Sequence, residues 1–366
     1  MSSTVENAQA SDFIVDRSDF SQCKFVDVAR PELDAGQVLI AVSKFAFTAN
    51  NITYAVAGDM LSYWNFFPAQ EGWGRIPIWG IGVVTESKHE GMQVGDRYYG
   101  YFPMSTWLVV QPEKVTEQGF VDASAHRQEL PPTYNQYLRM TPELGFEEKY
   151  DDYAMLLRPL FMTSFLLDDF LDDNGFFGAN TVVLSSASSK TAFGLAHILS
   201  QRGESGPEVI GLTSPHNVKF VEGLGCYDQV LSYCDILTLS NNQPTVFVDM
   251  AGNAEVITAV HNRFADQLKY SCLVGITHWQ QNAPTSGLPG AEPKFFFAPD
   301  QIVKRAKDWG AGELQERFAK VWNAFMKPVA GWIDVVHGQG KESVEQVYTA
   351  TLEGRAKPNE GHVLSL

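Results

Sequence analysis

The sequence predicts an α/β protein of two domains, a β-rich domain with the texture of an antiparallel barrel and a second domain built on a doubly wound parallel sheet. Three observations lead there. At 366 residues the chain is longer than one hydrophobic core comfortably organises, and two cores imply a cleft between them. Its first third consists of short β-runs broken by turn residues. From about residue 151 strands alternate with stretches of helical periodicity, the pattern of βαβ units.

Taken in order, residues from about 12 to 115 carry runs such as Gln37-Val38-Leu39-Ile40-Ala41-Val42 and Gly82-Val83-Val84-Thr85. The stretch from about 116 to 150 is rich in Pro, Glu, Gln and Tyr, with Pro131-Pro132 near its centre. It reads either as an insertion or lid over the cleft, or as a surface loop without a role. A helix is expected over Ala154 to Leu171, a strand at Thr181-Val182-Val183-Leu184, and an apolar-periodic helix from Thr191 to Gln201. The strand Val209-Ile210-Gly211-Leu212 follows, then a helix near Val218 to Leu224 and strands at Gln229-Val230-Leu231 and Thr245-Val246-Phe247-Val248. The end of the chain carries a helical stretch, Glu342 to Leu352, and a strand near His362 to Leu366. No internal repeat interrupts this order.

Composition narrows the function. Hydrophobic residues make up 45% and charged residues 19%, the balance of an ordinary globular protein. A formal net charge of -16 opposes general affinity for nucleic acid or for an anionic membrane, and an anionic cofactor would need a local group of positive charges. No run approaches the roughly 18 apolar residues of a membrane helix. The opening MSSTVENAQASDF lacks the basic-then-apolar pattern of a secretory signal, so a cytoplasmic protein acting on a small molecule is expected. Cys23, Cys226, Cys234 and Cys272 are scattered, without a CxxC pair or a histidine at metal-ligand spacing; reduced thiols and no structural zinc are expected.

The chemistry gathers at Val182-Val183-Leu184-Ser185-Ser186-Ala187-Ser188-Ser189-Lys190-Thr191-Ala192, an apolar strand passing through small residues into a helix. In a Rossmann-type sheet this turn receives a dinucleotide pyrophosphate, because backbone N–H groups and the helix dipole face it. The usual glycines are absent, but Ala187, Ser189 and Ala192 stand at the GxGxxG spacing and keep the backbone fairly open. Lys190 and Thr191 add a charge and a hydroxyl. A polar helix start capped by Ser188 or Ser189 fits the same residues.

After the next strand, Thr213 and Ser214 with Lys219 stand where such a fold meets the adenosine ribose. An acidic residue there would select NAD; hydroxyls and a lysine suit a 2′-phosphate and favour NADP(H), although an ordinary Ser-Pro turn also fits. Val248-Asp249-Met250-Ala251-Gly252 and Ser271-Cys272-Leu273-Val274-Gly275 end two further strands, with Ala251 and Gly275 as candidate cofactor-facing positions or plain core strand ends.

The order of these parts resembles the medium-chain dehydrogenase/reductase superfamily, especially its zinc-independent quinone and enoyl reductase branch and within it an uncharacterised subgroup catalogued as a domain of unknown function. Gly36 to Val42 looks like the family's early barrel strand and Ala49-Asn50-Asn51-Ile52-Thr53-Tyr54 like the loop after it. Gly80-Ile81-Gly82-Val83-Val84 and Val94-Gly95-Asp96-Arg97-Tyr98-Tyr99-Gly100 look like its GxGvV and vGDrVyG strands, and Val248 to Gly252 like its vDxxG turn. The resemblance implies a GroES-like β-barrel domain over 1–156 and 328–366 and a Rossmann nucleotide-binding domain over 157–327. It also makes a homodimer possible, and the apolar stretch Leu273 to Ile276 permits such an edge.

Where zinc alcohol dehydrogenases place a cysteine and then Gly-His-Glu, this chain has Asn50-Asn51 and Pro77-Ile78-Trp79, so catalytic zinc is not expected. A zinc-free member must stabilise developing negative charge with hydrogen-bond donors. Enoyl reductases of the family place a tyrosine about where Tyr63 stands, while Tyr54 replaces a common aspartate. The implied chemistry is hydride transfer from NADPH to an activated alkene or carbonyl, with Tyr63 or Tyr54 as proton donor and Asn51 orienting the substrate oxygen. Trp64, Phe66 and Phe67 would line an apolar pocket, and the same residues also read as an aromatic core in which Tyr63 is merely pinned. Two other functions remain open: a nucleotide-binding regulatory or scaffold protein without redox turnover, and a lyase or isomerase without net redox change.

Overall fold

The computed structural model describes residues 10–142, 146–274 and 287–366. Two compact units emerge, Met1–Leu156 with Val335–Leu366, and Leu157–Asp334. The second unit runs past residue 327 because its last helix continues through Val329 and the buried Ile333 still belongs to its core.

The first unit opens with strands β1 (Ser11–Asp16), β2 (Cys23–Asp27) and β3 (Val38–Phe47), then helix α1 (Ala49–Val56). Strands β4 (Trp73–Gly74), β5 (Pro77–Ser87), β6 (Arg97–Pro103), β7 (Trp107–Val110), β8 (Pro112–Thr116), β9 (Gly119–Asp122) and β10 (Gln136–Arg139) follow, and helix α2 (Asp151–Asp173) carries the chain into the second unit. β-branched and aromatic residues on the inward faces of β3, β5 and β6 bury Val38, Ile40, Phe45, Ile78, Val84, Tyr98 and Phe102 in one cluster, which is why the alternating pattern held as strands. The pairings among β1 to β10 are antiparallel, with β5 between β3 and β6.

The described part of 116–150 is not an irregular loop. It extends the sheet: β8 pairs with β9, β9 with β10, and β10 with β6. Two glycines make room for this. A methyl at Gly100 would lie 2.4 Å from the Tyr137 ring, and Gly119, at φ +146°, brings its backbone against the Tyr137 carbonyl. The composition that suggests a surface loop hides a buried aromatic and an internal arginine.

In the second unit, β11 (Thr181–Leu184), α3 (Lys190–Ser200), β12 (Glu208–Thr213), α4 (Val218–Gly223), β13 (Gln229–Ser232), β14 (Thr245–Asp249), α5 (Ala254–Phe264), β15 (Leu268–Leu273) and β16 (Pro293–Phe295) build a parallel sheet in the order β13-β12-β11-β14-β15-β16. The order reverses beside β11, the switch point at which such sheets bind ligands beyond the strand ends. Helices α6 (Ala298–Trp309) and α7 (Ala311–Val329) complete the unit. The chain then returns to the first unit as β17 (Asp334–Gln339), α8 (Gly340–Leu352) and β18 (Glu360–Ser365), and β18 pairs with β3. Gly275 lies outside the described residues, as do residues 276–286.

Candidate active site

In the first unit, five tyrosines and a tryptophan meet beside α1 and the start of β5. Tyr54 comes from α1 and Tyr63 from a 3-10 turn over Tyr63–Phe66, entered through Ser62 at φ 60°. Tyr99 and Tyr101, two residues apart on β6, present one face, with Tyr101 paired across the sheet to Trp79. Tyr134 arrives from a second 3-10 turn, Pro132–Asn135, inside the segment from 116 to 150. The rings interlock: Tyr54 and Tyr63 are 4.8 Å apart, Tyr101 and Tyr134 4.7 Å, Trp79 and Tyr101 5.2 Å, and Trp79 stacks on Tyr99.

The polar atoms of this cluster are few and directed. The Tyr63 and Tyr134 hydroxyls lie 3.1 Å apart. The Trp79 indole N–H donates to the Tyr54 oxygen at 3.1 Å, and the Asn50 side chain also reaches that hydroxyl. The buried Tyr101 hydroxyl has no hydrogen-bond partner among the described residues. Burial pushes the pKa of Tyr54, Tyr63, Tyr101 and Tyr134 up, the last two furthest, so each is held as a neutral donor at physiological pH.

Asn51 has a different employment. Its Oδ1 accepts from the Thr48 backbone N–H at 2.8 Å, and its Nδ2 donates to the Pro77 carbonyl at 2.9 Å, so the amide caps α1 and ties it to β5. Sequence spacing marks such a residue as polar and near the site without revealing that both its ends are engaged.

Behind the cluster sits Arg127, with no exposed surface. Its Nη2 donates to the Tyr134 carbonyl at 2.6 Å, its Nε to Asn135 Oδ1 at 2.9 Å, and its Nη1 to Asp122 Oδ2 at 2.8 Å and the Tyr137 hydroxyl at 2.9 Å. Burial acts to lower its pKa, but Tyr137 and Asp122 outweigh that, and it stays charged. Nothing in the sequence around 127 signals this role. Tyr99 and Tyr101 could have been found from their two-residue alternation on β6, whereas Tyr134 has no local signal.

The second unit holds the strand–turn–helix motif. Ser186 turns the chain at φ 49°, a left-handed conformation that costs a non-glycine residue roughly 1–2 kcal/mol. Its N–H donates to the Tyr233 hydroxyl at 3.0 Å, the Ala187 N–H to the Leu212 carbonyl at 2.9 Å, and the Tyr227 hydroxyl to the Ala187 carbonyl at 2.8 Å. These braces do the shaping that glycines do elsewhere. Gly211 on β12 leaves the room Ala187 needs: a methyl there would stand 2.9 Å from the Ala187 Cβ.

Ser189 caps α3, its Oγ accepting from the Ala192 N–H, so the capping expectation and the turn geometry coincide in one residue. Ser188 Oγ lies 3.2 Å from Asn217 Nδ2 and 3.4 Å from Thr213 Oγ1. Thr213 is buried, Ser214 and Ser188 are half-buried, and Lys190 and Thr191 begin the helix half-buried; Lys219 on α4 is exposed. Ser185 donates to Asp249 at 2.5 Å and Asp249 accepts from the Gly252 N–H at 2.6 Å, which locks the turn to the end of β14 beside the buried Ala251. Among the described residues no group of three His, Cys, Asp or Glu could hold a metal, and no helix is long and apolar enough to cross a membrane.

An antiparallel sheet domain continued by a Rossmann-type parallel sheet, with the chain returning to the first at its end, is the medium-chain dehydrogenase/reductase fold with its GroES-like domain. Solved structures agree. CurA from Vibrio vulnificus, in complex with NADPH, superimposes with a TM-score of 0.64 at 14% identity over 97% of this chain and 99% of that one. The quinone oxidoreductase from Coxiella burnetii gives 0.59 at 14% identity over 98% and 100%. The yhdH oxidoreductase from Salmonella enterica, in complex with NADP, gives 0.56 at 12% identity over 97% and 99%. No curated protein matches in sequence. Within this fold the chain belongs to the family described as protein of unknown function DUF2855, whose model matches residues 45–357.

Proposed function

We propose that this protein is a zinc-free, NADP(H)-dependent reductase that passes hydride to an activated alkene or carbonyl of a small molecule, of the quinone, enone or enoyl type. The observation that carries the reading is the tyrosine cluster: neutral phenols enclosed by aromatic rings, on the domain that such folds use for substrate.

The turn after β11 fits a dinucleotide. Its residues are small, Tyr227 and Tyr233 brace it from behind, and the N-terminus of an 11-residue helix follows it. Ala187, Ser188, Ser189, Lys190 and Thr191 would surround the pyrophosphate, with Ala251 and Gly275 at neighbouring strand ends. Ser214 and Lys219 would meet a 2′-phosphate, and the buried Thr213 would support that loop from inside. Bound there, the nicotinamide supplies hydride. Tyr63 or Tyr54 delivers the proton, and Trp79 fixes the Tyr54 oxygen. Asn51 acts on the substrate only by holding α1 in place. Arg127 has no exposed surface and is hydrogen-bonded throughout, so it offers no cation to a substrate carboxylate. A homodimer through the parallel-sheet edge belongs to the same reading, and sedimentation of the full chain tests it.

The reading is tested by titrating the purified chain with NADPH and with NADH, following nicotinamide fluorescence and thermal stability, and then by assaying NADPH oxidation with quinones and enones. NADPH should bind roughly tenfold more tightly than NADH, and Lys219→Ala should remove most of that preference. Cofactor affinity without oxidation of NADPH by any acceptor would make the protein a nucleotide-binding module. No affinity for either nucleotide would end the Rossmann-site assignment.

A further inference from the structure

Tyr63 and Tyr134 come from turns 71 residues apart, yet their hydroxyls meet at 3.1 Å. The two partners are not equivalent. Tyr134 lies among five rings, Tyr54, Tyr63, Phe66, Trp79 and Tyr101, all with centroids within 6.4 Å, whereas among the described residues Tyr63 has ring contacts with Tyr54, Phe66 and Tyr134. Either hydroxyl could donate across that distance, but aromatic faces accept hydrogen bonds poorly, and among the described residues the acceptor within reach of the buried Tyr134 O–H is the Tyr63 oxygen. The backbone of Tyr134 is meanwhile fixed by Arg127, itself anchored by Asp122, Asn135 and Tyr137.

We propose that Tyr134 is a positioning residue for the reduction: its hydroxyl donates to the Tyr63 oxygen, frees the Tyr63 proton for the substrate and steadies the phenolate left behind. The inference rests on the reductase reading above and gives the 116–150 segment its purpose. When hydride from NADPH adds to the substrate carbon, the π pair moves toward the carbonyl oxygen. The Tyr63 O–H then breaks, its proton going to the enolate and its electron pair remaining on Tyr63. The phenolate keeps the Tyr134 hydrogen bond and regains a proton from water once product has left. The same bond lowers the pKa of Tyr63 against the upward push of burial.

The test uses the full chain with NADPH and 1,4-naphthoquinone, comparing Tyr63→Phe, Tyr134→Phe and the double variant. Tyr134→Phe keeps the ring and should keep the melting temperature, lower kcat roughly tenfold, leave KM for the quinone within about twofold and move the alkaline limb of kcat/KM to higher pH. The double variant should be no slower than Tyr63→Phe alone, because the hydroxyl at 134 acts only through Tyr63. Site-specific 3-fluorotyrosine at 134, which keeps the shape and strengthens the donor, should move the same limb to lower pH. A Tyr134→Phe enzyme with unaltered kcat and pH profile, or a double variant whose losses multiply, would overturn the proposal while leaving the reductase standing. An unaltered chain that oxidises no NADPH with this or other quinones and enones overturns both.

Discussion

Arg127 illustrates what a buried charge requires. It spends its donors on a carboxylate, an amide, a phenol and a carbonyl, and the Asp122 carboxyl that answers it is equally enclosed. A pair of this kind adds little net stability over apolar residues of the same shape, but removing one partner strands the other. Arg127→Met should therefore cost about 3–5 kcal/mol in urea denaturation, and the double change Arg127→Met with Asp122→Leu should recover part of it. A single-variant loss under about 1 kcal/mol would mean that water reaches Asp122. At this scale the sequence revealed some of the site and concealed the rest. Tyr63 and Tyr54 could be singled out because they lie in a short aromatic-rich segment after a recognisable strand, while Tyr134 and Arg127 sit in a stretch whose polar, proline-rich composition imitates a surface loop.

Among the elements, α3 carries a residue that ties stability to pH. His197, in its last turn, packs against the rings of Phe325 and Trp332 at 5.5 and 5.8 Å, and its Nε2 is buried without a partner among the described residues. Burial depresses its pKa, so the folded chain holds the neutral imidazole. The unfolded chain binds a proton near pH 6.5, hence this contribution to stability is complete above that value and is lost as pH falls toward the lower folded pKa. His261 on α5, depressed mainly by burial with a smaller opposing effect from the Pro289 carbonyl, acts in the same sense. The melting temperature should drop between pH 7 and pH 5.5, and His197→Phe should flatten that drop without abolishing it. An unchanged slope would place the effect elsewhere. The elements themselves were largely legible: the strands at 181, 209 and 245 and the helices at 154, 191 and 342 follow from periodicity, because in a parallel sheet each strand is apolar on both faces and each helix on one. The strands after residue 116 were not, since β9 and β10 are only four residues long each and take their stability from neighbours rather than from pattern.

For the whole molecule the net charge of -16 is the dominant electrostatic fact. Like charges at that density repel one another in the compact state, and added salt screens them over about 10 Å at 0.1 M. Thermal stability should rise between 10 and 150 mM NaCl; a fall would mean that local pairs, such as Arg305 with Asp169 and Asp173, outweigh the general repulsion. The sequence by itself determined the two-domain plan and the place of the strand–turn–helix motif, because each is written in residues that are neighbours along the chain. Only the tertiary structure decided that the described part of 116–150 adds strands to the sheet, that Asn51 caps a helix, and that Tyr134 meets Tyr63 over an internal arginine. Those outcomes depend on which distant side chains share one buried volume, where most polar groups find a partner, and no local pattern encodes that choice.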